Sequence, residues 1–105
     1  MGFEGIEFLK IKTPLNVEVR TTTAYWEYLV SVKHPVMRDK ADLVRSVLQF
    51  PDVIRQSTTD KDVFLYYKQS DRLYCVVVKH IGTEGFLITA YPTDKLKEGD
   101  VIWTK

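Results

Sequence analysis

A chain of 105 residues has the length of one domain, 1–105, and with 45% hydrophobic residues it can close a single core. A formal net charge of +1 excludes the broad basic footprint of a duplex-DNA binder, though not a local basic cleft. The lone Cys75 excludes an internal disulfide, and no apolar run is long enough to span a membrane.

The N-terminus lacks the charged-then-apolar pattern of a signal peptide, which with an unpaired thiol points to a reducing, cytoplasmic setting. Met1-Gly2 opens like a myristoylation site, but Ile6 stands where Ser or Thr is needed. The first expected strand is Ile6 to Lys12, ended by a turn at Pro14 and Asn16, and Val17 to Arg20 is the second. Thr21, Thr22 and Thr23 are N-cap candidates for a helix carrying Trp26, Leu29, Val30 and Lys33 on one face. Pro35 ends that helix and leaves His34 at its exit with a restricted backbone.

Asp39 is expected to open the second helix, with Asp42 in its first turn and Leu43, Val44, Val47 and Leu48 as its stripe. Phe50-Pro51 closes it. A meander follows: Val53 to Ser57, Val63 to Lys68, Leu73 to His80 and Phe86 to Tyr91. Leu73 to His80 is nearly all apolar and reads as the central strand, with Cys75 a buried thiol in it. Gly82 and Gly85 bracket a hairpin turn, and the tail from Asp94 holds a helical turn and an extended end near Trp103.

The order β-β-α-α-β-β-β-β predicts an α+β fold, two N-terminal helices packed on a mostly antiparallel sheet of about four strands. The helices cover one face and leave the other as a working surface. Strand alternation puts Thr89 and Tyr91 on the face of Leu87, Arg55 and Ser57 on that of Val53, and Tyr66 and Lys68 on that of Phe64.

There is no Walker loop, GxGxxG, GxSxG or HExxH, and His34, His80 and Cys75 lack zinc-site spacing, so no cofactor or metal is implied. Cations, hydroxyls and an imidazole remain. In Lys33-His34-Pro35, either His34 caps the helix C-terminus, where a charged imidazole is favoured, or it moves a proton beside a phosphate-binding cation. Thr89 and Tyr91 are either plain strand residues or the lining of a cleft. Such a set suits RNA cleavage without metal, in which the 2′-hydroxyl is the nucleophile and Tyr66 or Tyr91 could stack a splayed base.

The pieces Arg20-Thr21-Thr22, the Trp26 helix, Lys33-His34-Pro35, Val47 to Ile54 with Arg55 and Ser57, Leu65-Tyr66-Tyr67-Lys68, Leu73 to Lys79 and Ile88-Thr89-Ala90-Tyr91 stand in one order. That order, over about seventy residues, resembles the phage-type barnase–EndoU–colicin–RelE-like nuclease superfamily. The resemblance implies a metal-independent endoribonuclease, often a toxin or phage effector with an antitoxin or immunity partner. It implies that His34 is the acid–base residue and that Arg20, Lys33 and Arg55 bind phosphate. Ser57, Thr89 and Tyr91 would orient the substrate, with Tyr66 and Lys68 at the cleft edge. The near-neutral charge departs from the habit of a toxin nuclease and defines the alternative, an RNA- or protein-binding module that does not cut.

Overall fold

The computed structural model describes residues 5–96 and 99–105. The Met1-Gly2 start and two positions of the expected tail turn, 97 and 98, lie outside the described residues. The strands are β1 (Glu7–Lys12), β2 (Glu18–Thr22), β3 (Val53–Gln56), β4 (Val63–Gln69), β5 (Leu73–Ile81), β6 (Glu84–Thr93) and β7 (Asp100–Thr104). Between β2 and β3 lie two short helices, α1 (Thr23–Tyr28) and α2 (Ala41–Gln49). The class is α+β, as the order of elements predicts.

The sheet holds seven strands rather than about four, in the order β1-β2-β6-β5-β4-β3-β7. All neighbours are antiparallel except β2 and β6, which pair in parallel over Glu18–Arg20 and Glu84–Phe86. Through that pairing the β1–β2 hairpin, turned at Asn16 with φ 61°, joins the meander as one sheet. The tail adds β7 along β3. β5 lies at the centre, where its apolar run is buried from both sides.

Thr22 caps α1, its hydroxyl accepting from the Tyr25 amide. The coil then widens into a π-turn over Leu29–Lys33, closed by the His34 amide donating to the Leu29 carbonyl at 2.8 Å. His34 is extended (φ −143°, ψ 79°), as the residue before Pro35 must be. α2 starts at Ala41, not at Asp39: Asp39 takes φ 67°, a left-handed conformation that ends the Pro35–Met37 turn rather than opening a helix. Trp26, Leu29, Val30, Val44, Val47 and Leu48 pack on Val19, Ile54, Tyr66, Tyr74, Val76, Val78, Leu87 and Ala90 to make the main core.

Two expectations about the sheet faces need correction. Val77 pairs with Thr89 but Val78 with Leu87, so Ile88 is an extra residue, a bulge. Alternation breaks there: Leu87 and Ala90 both enter the helix-side core, and Thr89 and Tyr91 turn to the opposite face from Leu87. Nor is that opposite face bare. Tyr67 and Cys75 are 0% exposed and Leu65 8%, packed with Val53, Leu73, Val77 and Tyr91 in a second cluster. Gly99, just before β7, lies against the Arg55 Cβ on this side.

Candidate functional site

β2 pairs with β6 only as far as Phe86, so the later half of β6 has an open edge. At the bulge, the Ile88 carbonyl is met from that edge by the Tyr25 hydroxyl at 2.6 Å and the Lys33 Nζ at 3.3 Å. These two bonds tie α1 and the π-turn to β6 and carry the chain exit towards Tyr91. The His34 and Tyr91 rings lie 5.3 Å apart, inclined by 31°. Arg38 steadies the turn from behind, donating to Ser31 Oγ at 3.0 Å and pairing with Glu27 at 3.7 Å.

Around this contact stand several of the expected residues. Thr89, two positions before Tyr91 on the same face, has a buried Oγ1 with no hydrogen-bond partner among the described residues. Lys33 is exposed beside it. Arg20 stands further off, aligned with Phe86 in the β2–β6 pairing; it donates to Glu18 Oε1 at 3.1 Å and keeps its buried Nε without a partner among the described residues. The Tyr91 hydroxyl is held well above the usual phenol range, first by burial and then by its charge interaction and hydrogen bond with Cys75. With its hydroxyl bonded to Cys75, Tyr91 offers His34 only the ring.

Other expected residues stand apart. Thr89, Val77, Leu65 and Arg55 form one cross-strand row, so Arg55 shares the face but sits three strand spacings away, ~14 Å. There it donates to the Gly99 carbonyl. Ser57 holds the turn before β4, its hydroxyl accepting from the Thr59 and Asp60 amides. Tyr66 and Lys68 lie on the opposite, helix-side face. Tyr66 is fully buried there, which overturns its expected place at a cleft edge stacking a base. Lys68 donates to the Phe50 carbonyl at 2.8 Å.

The second histidine belongs to that buried side. His80 stacks on Phe64 at 3.9 Å, and its Nε2 lies 3.0 Å from the Tyr66 hydroxyl, which donates in turn to Thr13 Oγ1. Burial pushes His80 down to about 4 and Tyr66 up to about 12. Tyr25 and Arg38 shape the His34 surroundings without a signal in the sequence, and Cys75, the expected buried thiol, meets Tyr91 from the neighbouring strand. Tyr25 meets its partner 63 residues away, a contact without local signature.

Among the described residues no group of three or more His, Cys, Asp or Glu side chains is arranged to hold a metal ion, and no helix is long and apolar enough to cross a membrane. No family model, curated protein or solved structure matches the chain.

Proposed function

We propose that this protein is a metal-independent endoribonuclease in which His34 moves the proton. The observation that carries the reading is the His34–Tyr91 contact, on the sheet face that also presents Thr89 and beside the Lys33 ammonium. The resemblance in the order of motifs from Arg20 to Tyr91 supports the same class of reaction. His34 takes the proton of the 2′-hydroxyl, and the 2′-oxygen forms its bond to phosphorus as the bond to the 5′-oxygen breaks. The leaving oxygen takes a proton from water, and the hydroxide so formed takes back the proton held by His34, giving a 2′,3′-cyclic phosphate and a 5′-hydroxyl. Lys33 holds the charged phosphorane, and Arg20, whose strand meets β6 at Phe86, binds the RNA backbone further along β6. Arg55, three strands off, grips the RNA backbone further along the strand rather than at the scissile phosphate.

A second reading, a module that binds RNA without cutting it, is favoured by Tyr91: with that phenol bonded to Cys75, His34 is left without a second proton-transfer group at this contact. One experiment separates the two. Purified protein is incubated with total RNA in excess chelator, and the product ends are mapped. Cyclic-phosphate ends from the parent, with a rate at least ~100-fold lower for His34→Ala and unchanged RNA affinity, is the expected result. Intact RNA with retained affinity leaves the binding module, and cutting that His34→Ala does not slow removes the assigned role of His34.

A further inference from the structure

On the helix side of the sheet, across from His34, a cleft of about 660 Å³ opens between the C-terminal end of α2, the end of β1 and the strands β4 and β7. Its apolar lining includes Phe50, Pro51 and Trp103, and its rim carries Lys12, Lys68 and Lys105. Phe50 is 62% exposed although it is a large aromatic side chain. Lys68 is fixed over the cleft by its bond to the Phe50 carbonyl, and Lys105 is paired with Asp52 at 2.9 Å. The Lys12 ammonium has no hydrogen-bond or ion-pair partner among the described residues. No carboxylate lines the cleft, so its charge is uncompensated except through Asp52 at its margin.

An apolar slot with two aromatic side chains fits a planar ring, and ammonium groups at its rim fit a phosphate attached to that ring. From this juxtaposition we infer that the cleft binds a nucleotide, its base against Phe50 and Trp103 and its phosphate at Lys12 and Lys68. The shared chemistry is a nucleoside phosphate, met either as a free mononucleotide or as one residue of an RNA strand. The site lies on the other side of the sheet from His34 and does not rest on RNA cutting.

Calorimetric titration of the full chain tests it, with AMP, adenosine, inorganic phosphate and an uncleavable 2′-O-methyl hexanucleotide as probes. AMP is expected to saturate one site at least ~10-fold more tightly than adenosine or phosphate alone. Lys12→Glu and Phe50→Ala, both at exposed positions, each weaken AMP at least ~10-fold without lowering the melting temperature. His34→Ala binds AMP as the parent does. A hexanucleotide tighter than AMP, and weakened by the same substitutions, identifies the strand as the source; AMP tighter than the hexanucleotide identifies the free nucleotide. The inference is overturned if AMP binds no better than adenosine. It is equally overturned if Lys12→Glu and Phe50→Ala both bind like the parent, or if AMP binding is lost in His34→Ala alone.

Discussion

The two histidines of the chain show how surroundings divide one residue type into two roles. His34 is partly exposed at a chain exit and meets Tyr91 across open backbone. His80 is locked between the Phe64 ring and the Tyr66 hydroxyl, and burial drives it down to about 4 from an ordinary 6.5. It is therefore neutral in the fold at pH 7. Between about 6.5 and 4 the unfolded chain takes a proton at this position and the folded chain does not. Stability is present in full above 6.5 and is lost as pH falls through this window. Thermal melts from pH 7 to 4 are expected to show a falling midpoint, with a visibly shallower fall for His80→Gln. Parallel slopes in the two proteins would sink this account of His80.

At the scale of elements, local chemistry was legible and pairing was not. Thr22 as a cap, Pro35 as a stop, the buried stripe of α2 and the central apolar run of β5 each follow from a few neighbouring residues. The parallel β2–β6 pairing and the docking of β7 on β3 join segments far apart in the chain, and no periodicity announces them. The bulge at Ile88 was invisible for a different reason: alternation assumes an unbroken ladder, and one extra residue inverts every later side chain. For the site, the same bulge turned Thr89 and Tyr91 away from the core and freed the Ile88 carbonyl for Tyr25 and Lys33. His34 and Tyr91 were legible as residue types, whereas the distance to Arg55 depends on strand order alone. Gly85 tests the new pairing. A Cβ there would meet Val17 and Val78 methyls at 3.0 Å and Val19 at 3.2 Å, all from the β2 side or the core. Gly85→Ala should cost about 1–3 kcal/mol of stability by denaturant unfolding, through overpacking where β2 meets β6. A loss below ~0.3 kcal/mol in that unfolding series would show that the β2–β6 approach is looser than described.

For the whole molecule, the balance of charge limits how RNA would be held under the proposed function. The net charge is +1, and many surface cations are already answered by carboxylates: Lys10 and Arg20 by Glu18, Arg38 by Glu27, Lys79 by Asp60, Lys105 by Asp52. Lys33 is exposed beside His34 with no carboxylate partner among the described residues, and Arg20 retains only part of its guanidinium for a ligand. Under the proposed function, affinity on this face would come from two or three phosphates, not from a long-range field. On single strands each neutralised phosphate contributes about −0.7 to the slope of log K against log salt, so the expected slope lies between about −1.4 and −2. Fluorescence anisotropy of a labelled RNA oligomer on His34→Ala, titrated from 50 to 300 mM salt, measures it with the strand left intact. A slope steeper than about −4 would require about six or more phosphate contacts, more than this face offers, and would move the RNA onto a path that also engages the lysine-rimmed side of the sheet.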